Sequence, residues 1–145
     1  MTEEFEAARP RHTLPLAGRE YDLLATFEAI EAVEVAMKRG LPRVAVDVAR
    51  DMPAHELALL LSTVLTRCGH PLTVDTAKAL LWEQVGLTGE ANDLLRLHLY
   101  AFLRVCSAPP PEREAEARRM GELLGGLARD PASPGATTSG PASAS

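Results

Sequence analysis

Aromatic side chains are scarce in this chain. One Trp, two Tyr and three Phe make up 4% of its 145 residues. A core therefore has to be assembled from Leu, Val and Ala. Cysteine is scarcer still. Cys68 and Cys106 are too few for a disulfide scaffold, so a reduced cytoplasmic setting is expected. Long hydrophobic runs are missing too. The longest are five residues, Leu57 to Leu61 and Leu99 to Leu103. A spanning helix needs about twenty, so no membrane partner is expected. The opening Met-Thr-Glu-Glu-Phe-Glu is acidic and has no apolar core, so no secretory signal is expected. Finally, positive charge is in deficit: 15 Lys+Arg stand against 20 Asp+Glu, a formal net charge of −5. That excludes a whole-protein basic field for gripping phosphates, and nucleic acid is not an expected partner.

What is present is an ordinary soluble composition, 46% hydrophobic and 24% charged, in a length that suits one modest domain plus tails. Residues 1–11 are charged and read as a flexible N-terminus. Residues 131–145 carry no charge and no large apolar side chain. They have too little surface to bury against their ordering entropy and read as a disordered tail. Pro109-Pro110-Pro111 ends whatever helix precedes it and acts as a stiff spacer. The packed domain is then residues 12–106, and 107–130 form a Pro-rich linker and a charged helix.

The domain opens with a hairpin signal. His12-Thr13-Leu14-Pro15-Leu16 faces Tyr21-Asp22-Leu23 across Ala17-Gly18-Arg19-Glu20. Leu14 and Leu16 share one side, as do Tyr21 and Leu23, because side chains alternate along a strand. Two tight turns compete. A Gly18-Arg19 loop places Pro15 at a hydrogen-bonded pair, where its missing N–H is a defect. An Ala17-Gly18 loop moves Pro15 to a non-hydrogen-bonded pair but demands positive φ at Ala17.

The rest is helical in pattern. Thr26 is placed to cap a helix from Phe27 to Arg39, with Gly40 as its stop and Phe27, Ile30, Val33 and Met37 as its stripe. Glu34 and Lys38 are spaced to pair on the other side. A short helix over 42–50 follows, and Asp51 and Pro53 mark the next start. The helix to Cys68 buries Leu57, Leu60, Leu61, Val64 and Leu65 and leaves Leu59 on the far face. After the turn Gly69-His70-Pro71, Thr73 caps a helix with Val74, Ala77, Leu81 and Val85 in line and Trp82 at the rim. Gly86 and Gly89 break it, and Thr88 is placed to cap the last core helix. The fold class is thus mainly α: a short N-terminal β-hairpin, a compact bundle of four to five short helices, and a disordered C-terminal tail.

The last core helix is unusual. Leu94, Leu95, Leu97, Leu99, Tyr100, Phe102, Leu103 and Val105 cover nearly its whole circumference. A helix apolar all round is either central in its domain or shared with a partner, and periodicity leaves both readings open.

No catalytic or metal constellation stands out. Cys68 and His70 are two ligands in one turn, but a second pair would have to come from Cys106 and His98 on another helix. Core filling explains Cys68 as well, and a turn explains His70. His12, His55 and His98 have no local nucleophile partner. Asp47 and Asp51 are four apart, as a carboxylate pair or as surface solvation would have them. Gly125-Gly126 follows no strand and precedes no Lys-Ser or Lys-Thr, so it fails the context of a phosphate loop. Arg113, Arg118, Arg119 and Arg129 are interleaved with Glu112, Glu114, Glu116 and Glu122, the pattern of a solvated helix. Its Ala115, Met120, Leu123, Leu124 and Leu127 form a modest apolar side, suited to the domain or to a partner. No catalytic residue, metal or cofactor is expected.

The order of these elements, read with Leu16-Ala17-Gly18-Arg19-Glu20-Tyr21, Thr26-Phe27-Glu28-Ala29-Ile30-Glu31, Leu57-Ala58-Leu59-Leu60-Leu61 and Gly69-His70-Pro71-Leu72-Thr73, resembles the small tail assembly chaperones of tailed phages and gene transfer agents. The likeness covers residues 12–106. Family members more often carry Asp-Gly or Gly-Gly at the turn, so Ala17 is a departure. Residues 107–145 look like an extension beyond the usual domain.

The resemblance implies a non-enzymatic role in the host cytoplasm. Such proteins hold an aggregation-prone tape measure protein soluble while tail tube subunits polymerise around it. The implied partners are the tape measure protein and tail tube subunits, with self-association open. A client of long apolar helices needs an apolar groove or helix face with a charged rim. Leu59, Trp82, Leu94, Leu95, Leu99 and Phe102 are the candidate contact residues, weighed against plain core packing. The alternative reading is a structural minor component of the tail tube or connector. A tube subunit normally needs a substantial sheet to close a ring, and only one hairpin is in view.

Overall fold

The computed structural model describes residues 11–129, with side chains through 126. The expected disordered tail at 131–145 and the lead-in at 1–10 lie outside the described residues. Arg11, assigned to that lead-in on sequence grounds, is instead the first residue of strand β1 (Arg11–Leu16), paired with Leu24 of β2 (Arg19–Leu24). The hairpin adopts the Ala17-Gly18 turn: Leu16 pairs with Arg19 and Pro15 with Glu20. Both turn residues have positive φ, 52° at Ala17 and 81° at Gly18, the backbone of a type I′ turn. Removing the ladder defect at Pro15 thus outweighs the strain at Ala17. Ala17→Gly is expected to stabilise the protein by about 0.5–1 kcal/mol, read as a higher urea midpoint. A lower midpoint would show that Ala17 is not the strained position.

Six helices follow among the described residues: α1 (Phe27–Met37), α2 (Leu41–Arg50), α3 (Ala54–Arg67), α4 (Val74–Leu80), α5 (Glu90–Ser107) and α6 (Arg113–Arg129). The chain is therefore mainly α with an N-terminal hairpin, as its pattern predicts. No helix among them is long and apolar enough to cross a membrane.

Local signals account for several boundaries. Thr26 Oγ1 accepts the Ala29 N–H at 3.1 Å, and Thr73 Oγ1 accepts that of Thr76 at 3.1 Å, each satisfying an orphan amide of a first turn. Other boundaries differ from expectation. Helix α1 stops at Met37, not Arg39, because Lys38 turns left-handed at φ 61°. Lys38 therefore does not pair with Glu34. Glu34 Oε2 instead accepts the backbone N–H of Leu41 at 2.8 Å, putting a carboxylate on the N-terminus of α2. Helix α5 begins after Gly89, whose φ of 100° makes the corner, and Thr88 caps nothing. Helix α4 runs on into a π-helical turn over Leu81–Val85.

The main core is one cluster. Leu14, Leu16 and Leu23 of the hairpin meet Val33 and Met37 of α1, Val44 and Val48 of α2, the Leu57–Leu61–Val64–Leu65 side of α3, and Leu81. Leu95, Leu99, Phe102 and Leu103 of α5 close it. The buried side of α1 is the Ala29–Val33–Met37 line rather than one through Phe27. Phe27 lies roughly a third of a turn round from that line, and the hairpin entering through buried Ala25 fixes which side faces in.

Arg39, just past α1, ties three helices. Its Nε meets Asp47 Oδ2 at 2.9 Å on α2, its Nη2 meets Glu56 Oε1 at 2.8 Å on α3, and its Nη1 donates to Met37 O at 3.0 Å. The Glu56 bond, then the charges of both carboxylates, raises its pKa further and keeps it cationic. Asp47 is thereby a structural partner of Arg39 and Arg43, not one of a carboxylate pair with Asp51.

Candidate functional site

The all-round apolar helix, α5, divides its circumference between two environments. Its inner side is in the main core: Leu95 is 2%, Leu99 0% and Phe102 2% exposed. Those three candidate contact residues are thus core residues, because strand β1, helix α2 and the π-helical turn pack on α5. Its outer side carries Leu97, Tyr100, Ala101 and Val105, and this side packs against Ala117, Met120 and Leu124 of α6 in a separate, smaller cluster. Of the two readings left open by its pattern, the helix is central on one side and covered on the other by a later segment of the same chain. Leu94, at 37% exposure, is the part left to solvent. Leu59 is not free either, being half-buried against the main core. Trp82, on the π-helical turn, stands out at 74% exposure.

Polar contacts fix how α6 lies on α5. Glu116 is buried beneath α6, its carboxylate held by Arg119 on its own helix and by Arg104 Nη2 of α5 at 3.2 Å. Arg104 Nη1 donates to Tyr100 Oη at 2.8 Å. Arg113 Nε at the start of α6 donates to Ala108 O at 3.2 Å. Burial of Met120 and Leu124 contributes roughly 3–6 kcal/mol. Three interior glycines, Gly121, Gly125 and Gly126, each subtract up to about 1 kcal/mol of helix stability. The docking of α6 is therefore far weaker than the cohesion of the main core.

A second exposed apolar feature was invisible in the stripe analysis. Phe27 is 80% and Val35 72% exposed, and helical spacing puts them on the outer face of α1 with Glu31 between. Val35, but not Phe27, lines a groove of about 520 Å³ between α1 and α3, walled by Glu28, Glu31 and Ala32 on one side and Thr63, Thr66 and Arg67 on the other. Its walls carry acid on the α1 flank and a guanidinium on the α3 flank, with Ala32 and Val35 as apolar lining.

His12, His98, His70 and Cys68 form structural ties, while His55 is exposed. His12 Nε2 lies 2.9 Å from His98 Nδ1, joining β1 to α5 across 86 residues. Burial, then the neighbouring His98, lowers His12 to about 4, and burial lowers His98. His70 Nε2 donates to Asp22 O at 2.9 Å, and Cys68 Sγ donates to Leu24 O at 3.6 Å. Burial raises the Cys68 thiol. Burial, reinforced by Cys68 and partly offset by Arg113, pushes Cys106 up to about 12. Both stay protonated, which suits core filling better than metal ligation or nucleophilic attack. Among the described residues no group of three His, Cys, Asp or Glu is placed to hold a metal. These ties link residues too far apart in sequence for any spacing rule to have found them. The chain matches no protein-family model, and neither a curated protein nor a solved structure matches it.

Proposed function

We propose that the protein is a non-enzymatic tail assembly chaperone, which keeps a tape measure protein soluble while tail tube subunits assemble around it. The observation that carries this reading is the outer face of α1. Two large apolar side chains, Phe27 and Val35, are spread in solvent beside a groove edged with charge. Exposing them contributes nothing to the fold, whereas an apolar client laid along the outer face of α1, over Phe27 and into the groove that Val35 lines, would bury both. Helix-in-groove capture of this kind needs no fixed sequence in the client, only an apolar stripe. That suits a client built of long repetitive helices.

Co-expression with the tape measure protein of the same particle tests this. The wild-type chain is expected to raise the soluble yield of the tape measure protein severalfold and to co-purify with it. A Phe27→Ser/Val35→Ser variant is expected to lose most of that effect while melting within a few degrees of wild type, since both side chains are already solvated. Unchanged tape measure solubility with the wild-type chain overturns the reading.

A further inference from the structure

We infer that the groove between α1 and α3 selects a cationic apolar segment of a partner protein, one whose apolar stripe is flanked by Lys or Arg where it meets α1. The inference rests on the chaperone reading in taking this groove as the client's place, and it adds the charge that the client carries. Three observations lead there. First, the groove asks little of an occupant in hydrogen bonds. Ser62 Oγ donates to Leu72 O at 2.6 Å, Thr63 Oγ1 to Leu59 O at 2.8 Å and Thr66 Oγ1 to Leu72 O at 3.1 Å. Their hydroxyl protons are spent inside the chain, and Ala32, Val35 and Ala36 complete the lining with carbon. Second, the charges are unspent. Glu28 and Glu31 on α1 and Arg67 on α3 are exposed, and none of them forms an ion pair among the described residues. Acid and guanidinium stand on opposite walls without closing the groove between them. Third, this chain offers no such segment at its ends. Residues 1–10 hold three Glu to one Arg, and residues 130–145 hold no Lys, no Arg and no large apolar side chain. A second copy brings a net charge of −5 and the same acidic wall.

The two acids act together. Glu28 and Glu31 are three residues apart on α1, so one turn presents both on the same flank. A cation set against each of them replaces repulsion by attraction, worth about threefold in affinity per exposed site and about tenfold for the pair. Arg67 on the opposite wall favours an acid there. Burial of Phe27 and Val35 supplies the affinity, and the walls supply the choice among apolar segments. Such a choice is weakened by salt.

Two fluorescein-labelled synthetic peptides, each about 18 residues long, test this by anisotropy. They share one Leu/Ala stripe and differ only in carrying Lys or Glu beside it. They are titrated into the full-length wild type and two full-length charge-reversed variants. Glu28→Lys/Glu31→Lys reverses the groove. Glu112→Lys/Glu114→Lys changes the net charge by the same amount at exposed positions outside it. The wild type is expected to favour the Lys peptide about tenfold at low salt, the groove variant to favour the Glu peptide, and the outside variant to keep the wild-type order. Amide shifts in the wild type are expected at Ala32, Val35, Thr63 and Thr66. An equal change of preference in both variants assigns the effect to the overall charge and overturns the proposal. So does binding of neither peptide, or shifts confined to other residues. Self-association that excludes the Lys peptide assigns the groove to a second copy and overturns a foreign segment. The co-expressed tape measure protein is the second readout. Its recovery by the wild type and loss with the groove variant supports the full proposal. Equal recovery with both overturns charge selection of that client and leaves the chaperone reading standing. No recovery with the wild type, with the peptide order intact, overturns the chaperone reading and supports the selective groove.

Discussion

Leu99→Ala is expected to lower the melting temperature by about 15 °C and the unfolding free energy by about 3 kcal/mol or more. Leu99 is fully shielded, touched from one side by the hairpin core and from the other by its neighbours on α5. Removing its isobutyl group forfeits the transfer energy and leaves a cavity, because close-packed neighbours collapse only in part. A domain of this size has roughly 5–15 kcal/mol in hand, so the variant stays folded at room temperature but marginally. Trp82→Ala is the matched control. Its indole is mostly in solvent, and the expected change is within about 0.5 kcal/mol. Both residues carry the same expectation of partner contact on sequence grounds. Thermal unfolding of the two variants separates a core residue from a surface one. A shift under 3 °C for Leu99→Ala would contradict the placement of α5.

Acid is expected to loosen the join between hairpin and bundle. In the folded protein His12 stays neutral down to about pH 4, held there by burial and by His98. In the unfolded chain it takes a proton near 6.5. Its folded value is the lower one, so its contribution is fully present above pH 6.5 and drains away as pH falls from 6.5 toward 4. Allowing for its partial exposure, about 2 kcal/mol is lost from this group between pH 7 and 4.5. His98 is shifted the same way and adds to the effect. Once both rings are charged, two N–H groups face each other at the 2.9 Å contact and the bond becomes a repulsion. Urea titrations at pH 7.0 and 4.5 on wild type and His12→Gln read this directly. The wild type should lose about 2 kcal/mol more than the variant. Subtracting the variant removes whatever acid response the two proteins share. Parallel loss in both proteins would mean that the pair does not couple to stability.

The parts of this fold that the sequence makes legible are those set by neighbours in the chain. Thr26 and Thr73 cap because a hydroxyl sits three residues from an orphan amide. The Leu57–Leu65 stripe reads correctly because it is long and one-sided. The turn is half legible: the cost of Pro15 in one register and of Ala17 in the other are both local, but only the folded hairpin weighs them. Decisions made by tertiary contact are not legible. Phe27 and Ala29 are equally plausible inward residues until the hairpin fixes the angle of α1. The apolar girdle of α5 fits a central helix as well as a shared one, and periodicity holds no information on whether a sharer is a foreign chain or residues 113–129. Of the candidate contact residues, Trp82 and Leu94 are exposed, Leu95, Leu99 and Phe102 are core, and Leu59 is half-buried. The exposure of Phe27 and Val35 is not legible because Phe27 falls on the apolar stripe of α1 and Val35 is an ordinary helix valine.

The tie between His12 and His98 also dictates an order of events as the chain is made. Eighty-six residues separate the two rings, and the leucines of the hairpin are covered by segments that emerge later still from the ribosome than α1. A lone two-stranded hairpin is marginal in water. The hairpin, made before α1 to α3, is therefore among the last elements to find its permanent place, waiting for α5 while those helices assemble beside it. Pairings this distant are slow to close. During that wait Leu14, Leu16 and Leu23 are open to capture by other nascent chains, so the hairpin is the part most exposed to misassembly.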